Sequence, residues 1–259
     1  MKRYGQYLAP ALCLAIALAA WELCVQALDI SPYVLPAPSS IASALVSESA
    51  DLWTHSLVTL GEATAGLAIA TALAILIAIL MDVSGVFRTC AFPYLVVSQT
   101  VPVIVLGPLF TIWLGFGMAP KILMVVFMCF FPIAISFADA LRQTDQRQMN
   151  LLKSFGASTL QQYLMVKIPG AATALFSGLK MAATYCMGGA IVGEWLSASA
   201  GLGYYMIQVK NGFMMDKVFA CVIAIIFWSL VLNLAVNVLE RALFPHLRKH
   251  KNATDKKAN

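Results

Sequence analysis

Five ionisable side chains, Glu22, Glu62, Asp139, Lys180 and Glu194, stand inside or at the edges of long apolar runs. A charge at the centre of a membrane helix costs roughly 2.5–3.5 kcal/mol on insertion scales, so each is expected to face protein or water. Glu22 and Glu194 fall near one end of their runs and Asp139 near the other, where snorkelling to the interface accounts for them. Lys180 lies about three turns after Pro169, and either pairs with a carboxylate or carbonyl groups or contacts a bound molecule. The uncharged groups Gln99, Thr100, Thr184 and Tyr185 either face a path through the membrane or hydrogen-bond neighbouring helices. Catalytic patterns are absent: neither G-x-x-x-x-G-K-[ST], H-E-x-x-H nor G-x-S-x-G occurs. His55, His246 and His250 sit at run ends or in the C-terminal tail and read as solvated residues. The six cysteines are scattered without metal-ligand spacing and read as small buried hydrophobes. The chain is therefore read as a non-enzyme with no metal site and no cofactor of its own.

The elements that must position these groups follow from composition. Of 259 residues, 61% are hydrophobic and 11% charged, against about 25% charged in an average soluble domain. A helix needs roughly 20 apolar residues to cross a bilayer core of about 30 Å. Six runs meet that length, at about 7–27, 57–81, 92–113, 122–141, 171–196 and 218–243, which predicts an all-α polytopic membrane protein forming a single domain over residues 1–259. The first run lacks a small-residue cleavage site and continues through Trp21 and Glu22, so it reads as a retained span. Between the first two runs, the Pro36-Ala37-Pro38-Ser39-Ser40 opening predicts an external interfacial helix over Ile41 to Val46. The third run is broken by Pro93, Pro102 and Pro108, interruptions tolerated at membrane depth only beside protein or a watery cavity, so it is placed beside a translocation path.

The net charge of +5 is not gathered into a patch, which argues against nucleic acid. Alternating sides along six spans puts 13 of the 17 basic residues, among them Arg88, Arg142, Lys153 and Lys167, on the side that holds both termini, and Lys121, Lys210 and Lys217 on the other. By the positive-inside rule both termini are cytoplasmic. So is the polar loop 142–169, the only long interior stretch unable to sit in lipid. Its grammar is that of a helical hairpin. Leu151, Leu152 and Phe155 fall at helical spacing, Gly156 permits a bend, Ser158 caps a helix starting at Thr159, and Pro169 opens the next run.

The same loop resembles the EAA loop in permease subunits of bacterial binding-protein-dependent ABC importers: Glu-Ala-Ala, three residues, Gly, nine residues, Ile-x-Leu-Pro. In that frame stand Asn150-Leu151-Leu152, then Gly156-Ala157-Ser158, then Val166-Lys167-Ile168-Pro169, with the acidic first position replaced by Asn150. Two further stretches, Ser98-Gln99-Thr100-Val101-Pro102 with Gly107-Pro108, and Gly193-Glu194-Trp195 running to Gly201-Leu202-Gly203-Tyr204, resemble the nitrate, sulfonate and thiamine-precursor branch. With Cys129-Phe130-Phe131-Pro132-Ile133, they look most like permeases for pyrimidine thiamine precursors and riboflavin-like heterocycles.

The resemblance implies a type I importer permease fold in the bacterial inner membrane. It implies a homodimer in the lipid bilayer, working with an ATP-binding subunit that alone holds ATP and with an external solute-binding protein. Asn150, Leu151, Leu152, Phe155, Gly156, Ala157, Ser158 and Pro169 would couple to the ATPase, while Gln99, Thr100, Thr184, Tyr185 and Glu194 would line the path. Alternative solutes are aliphatic sulfonates, taurine or nitrate. An ion-coupled secondary transporter is the alternative of another class, for which an internal repeat would be expected.

The charge count generates a topology test. In a cysteine-free background, Ser43→Cys and Asn211→Cys should react with an impermeant thiol reagent in intact cells, and Ser158→Cys and Ala253→Cys only after permeabilisation. Labelling of Ser158→Cys from outside would overturn the orientation.

Overall fold

A computed structural model of the chain describes residues 2–244. His246, His250 and the basic tail lie outside them. Among the described residues all regular structure is helical: α1 (Lys2–Ala27), α2 (Pro38–Ser47), α3 (Ser49–Val83), α4 (Gly85–Ser98), α5 (Val103–Leu114), α6 (Met118–Arg142), α7 (Gln146–Ser154), α8 (Thr159–Gln162), a π-turn (Tyr163–Lys167), α9 (Ile168–Ser197), α10 (Leu202–Asn211) and α11 (Met215–Leu243). The chain groups into two compact units, one of residues up to Val58 with Ser199–Ile226, the other of Thr59–Ala198 with the residues from Phe227 on.

In the first unit, α2 begins at Pro38 behind Ala37, which has no side chain able to cap it. Glu22 of α1 supplies the acceptor instead. Its Oε2 accepts from the Ser39 backbone N–H at 3.0 Å and its Oε1 from the Ser39 hydroxyl at 2.7 Å. A carboxylate at a helix N-terminus also meets the favourable end of the dipole, so Glu22 is a cap and not the snorkelling residue expected. Glu48, between α2 and α3, accepts from the Tyr205 hydroxyl and from Lys217 Nζ, each at 2.7 Å. Lys217, and then Tyr205, hold its carboxyl below the usual carboxylate range, while burial and the Glu48 charge push the Tyr205 hydroxyl up. His55 is built in as well, contrary to the solvated reading: its Nδ1 accepts the Gly201 N–H at 3.1 Å and its ring stacks on Tyr205 at 5.1 Å.

The second unit is organised on α6 and α9, half or more of whose apolar stretches are buried (50% and 56%), against 28% for α3. Small residues make this possible, because lipid gives no hydrophobic drive and close backbone approach must supply dispersion. Along α9, Ala171, Ala182, Ala183, Cys186 and Ala190 are buried. A Cβ on Gly178 would sit 2.7 Å from the Pro132 carbonyl oxygen, and one on Gly193 would sit 2.9 Å from Lys121 Cα. Cys129 Sγ donates to Ala182 O at 3.4 Å across the seam. At one end, Ala78 and Met81 of α3 join Phe137, Ala138 and Leu141 of α6 and Ala171 of α9 in a common core.

Among the described residues, five helical stretches are long and apolar enough to cross a membrane, or six if α4 and α5 count as one span. The predicted span at 92–113 is not one rod, since α4 and α5 bend by 105°. Pro93 and Pro108 lie inside the helices and the break falls only at Pro102, where Val101, as the residue before a proline, is driven out of the helical region. Other bounds shift outward. α3 starts at Ser49 inside the predicted external segment, α6 starts at Met118, and the predicted loop 197–217 contains α10.

Overpacking of a tight seam costs about 1–3 kcal/mol, so Gly178→Ala should lower the thermal unfolding temperature in detergent. Gly188→Ala, where the new methyl meets nothing within 4 Å, should leave it unchanged or raise it. Equal behaviour of the two variants would show that the seam is looser than described.

Candidate functional site

The connecting segment after α6 is built by local rules at every step. Asp145 caps α7 by accepting the Arg147 N–H at 2.8 Å. The helix then stops in a Schellman arrangement: Gly156 takes φ +75°, its N–H reaches Lys153 O at 2.9 Å, and the Ala157 N–H reaches Leu152 O at 3.0 Å. α8 opens with a reciprocal capping box between Ser158 and Gln161. Gln162, buried, ties the turn by donating to Ala157 O at 2.9 Å. Met149 points inward, but Leu151, Phe155 and Leu160 are exposed, Phe155 by 78%. Asn150 is exposed beside them, Leu152 and Ala157 are half-buried, and Pro169 stands in the first turn of α9. The hairpin thus carries exposed apolar side chains on an otherwise polar, capped segment.

A second feature lies elsewhere in the same unit. A cavity of about 230 Å³ is lined by Gln99, Val101, Phe127, Phe131, Pro132 and Tyr185, among others. Phe127 and Phe131 meet edge to face at 5.0 Å. Two polar groups, the Gln99 amide and the Tyr185 hydroxyl, stand on an otherwise apolar and aromatic wall, and the lining carries no formal charge. That is the composition of a small-molecule site.

Of the residues predicted to line a path, Gln99 and Tyr185 are brought together on this cavity, and three are not. Thr100 Oγ1 donates back to Val97 O at 2.7 Å. Thr184 Oγ1 donates to Lys180 O and accepts from Asn233 Nδ2 at 3.1 Å, a helix-to-helix bond. Glu194 corrects the expectation most. It is 2% exposed, neither snorkelling nor on the cavity, and accepts from Thr59 Oγ1 at 2.7 Å.

Thr59 is one turn from Glu62, which is fully buried and receives Lys121 Nζ at 2.7 Å. Lys121, expected on the external side, is thus inside the bundle. Its backbone is admitted there by Gly193, and removing one partner of such a pair costs roughly 3–5 kcal/mol. Lys180 takes the paired alternative, 2.5 Å from Glu240 Oε2. Asp139 pairs with Arg88 at 3.1 Å. Sequence reasoning missed Asp82, Lys121 and Glu240 as partners. The available signal at Asp82 was an acid at the C-terminal end of a helix, where the dipole disfavours it.

A model of the inner membrane component of binding-protein-dependent transport systems matches residues 70–249. The chain belongs to this family. A probable ABC transporter permease protein of Haemophilus influenzae is 34% identical, over 90% of this chain and 95% of its own length. The formylaminopyrimidine transport permease protein ThiX of Halalkalibacterium halodurans is 33% identical, over 96% of this chain and 100% of its own. The crystal structure of an amino acid ABC transporter with histidines superposes with a TM-score of 0.59 at 18% identity, covering 76% of this chain and 94% of that one. The fold is the type I importer permease fold, and the chain is a membrane-embedded transport component of an ABC importer.

A neutral hydrogen bond contributes about 0.5–1.5 kcal/mol, so Gln99→Leu should raise the half-saturating solute concentration for uptake roughly 2- to 12-fold while the complex still assembles. Unchanged uptake across solute concentrations would place Gln99 in packing alone.

Proposed function

We propose that this permease works as a homodimer carrying a small neutral heterocycle, of the class of pyrimidine thiamine precursors, delivered by an external binding protein. The observation that carries the solute class is the uncharged cavity walled by Phe127, Phe131 and Tyr185 with one amide at Gln99. Aromatic faces stack on a heterocycle, and an amide serves its donors and acceptors alike. A sulfonate or nitrate would call for a free cation. Lys121 and Lys180, on the helices that wall the cavity, are each held by a carboxylate, and this supports the neutral solute over those anions.

In this reading both termini and the hairpin of α7 and α8 face the cytoplasm, and the chain itself is not an enzyme. ATP binds the partner ATPase pair and closes it. Leu151, Phe155 and Leu160, presented by the bend at Gly156, dock in a groove of that partner. Closure then draws the two hairpins together and turns the bundle from inward-open to outward-open, which is a differential contact energy applied to a two-state element.

The test is uptake into proteoliposomes holding the permease, its ATPase and its binding protein. Labelled formylaminopyrimidine should enter with ATP, while taurine and nitrate should neither enter nor compete. Gly156→Val, strained at φ +75°, should still insert but lose ATPase association and uptake together. Transport of taurine in preference to the pyrimidine would refute the solute class, and normal docking by Gly156→Val would refute the role of the hairpin.

A further inference from the structure

Asp82 is the penultimate residue of α3, where the negative end of the helix dipole opposes a carboxylate. Its side chain is nonetheless only 6% exposed. What holds it there comes from a distant part of the chain. The Tyr163 hydroxyl donates to Asp82 Oδ2, and Lys167 Nζ lies 2.5 Å from the same oxygen. The Lys167 ammonium also stands 4.8 Å from the centre of the Tyr163 ring, so one carboxylate, one phenol and one cation close on each other.

Tyr163 and Lys167 are the first and last residues of the π-turn, in which the Ile168 N–H reaches back five residues to Tyr163 O. This turn joins α8, the end of the hairpin, to α9. A π-turn inserts an extra residue into a helix, and such insertions concentrate at functional positions. Here it offers two donors to a single oxygen on α3. The hairpin's caps at Asp145, Gly156 and Ser158 are internal to it, its Met149 side chain is buried, and the exposed Asn150 takes the place of the acid in the family pattern.

We infer that Asp82, by gripping Tyr163 and Lys167, is the positioning residue through which displacement of the hairpin is passed to α3. This rests on the reading of the hairpin as the ATPase-docking element. Asp82 touches neither solute nor nucleotide. It fixes the angle between the hairpin and the bundle, so that motion of one becomes motion of the other and is not absorbed at the π-turn. With the latch open, the ATPase would still dock and turn over, but its closure would bend the π-turn and leave the bundle unmoved.

The experiment compares wild type with Asp82→Asn, Tyr163→Phe and the exchange Asp82→Lys with Lys167→Asp, in proteoliposomes with the ATPase and the binding protein. Asp82→Asn should retain the ATPase on purification and continue to hydrolyse ATP, while solute taken up per ATP falls at least tenfold. Tyr163→Phe should show a smaller loss of the same ratio, and the exchange should recover at least a third of it. A wild-type ratio in Asp82→Asn, or uptake and hydrolysis falling in proportion, would reduce the latch to a structural tie and overturn the inference. Should Asp82→Asn fail to fold, Tyr163→Phe and the exchange carry the same comparison.

A second measurement separates this from the docking reading, because it uses the permease alone. In a cysteine-free background, spin labels at Val86→Cys and Leu160→Cys, both exposed, should give a narrow distance distribution that broadens with Asp82→Asn or Tyr163→Phe. An unchanged distribution would overturn the latch whatever the ATPase does, whereas loss of ATPase association in the wild type would count against docking only.

Discussion

How closely α6 and α9 approach decides most of what the second unit is. Lipid chains are as apolar as leucine, so helices gain by meeting in a membrane only where small residues let backbones come near enough for dense dispersion contact. Gly178 against the Pro132 carbonyl and Gly193 against Lys121 Cα meet that condition at two levels of one seam. The proline in α6 that would otherwise leave a helix weakened in lipid is thereby backed by protein. The same two helices carry Phe127, Phe131 and Tyr185 on the cavity wall. One side of the cavity is accordingly held by a close-packed seam.

Several polar groups within this packing meet partners on different helices. Lys121 answers Glu62, Lys180 answers Glu240 and Thr59 answers Glu194. Replacing both members of such a pair by apolar groups often leaves stability intact, whereas losing one is expensive. The pairs therefore act as registers more than as glue. Each favours one rotation and one depth of its helix within the bundle.

Features set by neighbouring residues were legible in the sequence. The bend at Gly156, the cap at Ser158 and the proline start of α2 each follow from a few adjacent side chains, and the apolar runs located the long helices because lipid enforces length. Features set by partners far along the chain were not. Glu22 looks like an interfacial acid until the orphan amide of Ser39 is placed beside it, 17 residues on. Lys121 looks like the tip of a turn, and only the missing Cβ of Gly193 explains its burial. Gln99 and Tyr185 could be named as candidates, but nothing local separated them from Thr100 and Thr184, whose hydroxyls are already spent on carbonyl groups one turn back. The proline count of the third run misled for a related reason: three prolines were visible, yet only Pro102 follows residues free to leave the helix.

The interior pairing of Glu62 also bears on how the chain is made. Its partner Lys121 follows 59 residues later, and the Glu194 that closes on neighbouring Thr59 follows Thr59 by 135. At a synthesis rate of about 5–20 residues per second, α3 waits roughly 3–12 s in the translocation machinery or the bilayer before Lys121 exists. Its commitment to the membrane must come from its own 35-residue length and apolar surface. Until α6 and α9 arrive, the helix shows lipid a lone carboxyl group that the finished bundle hides completely.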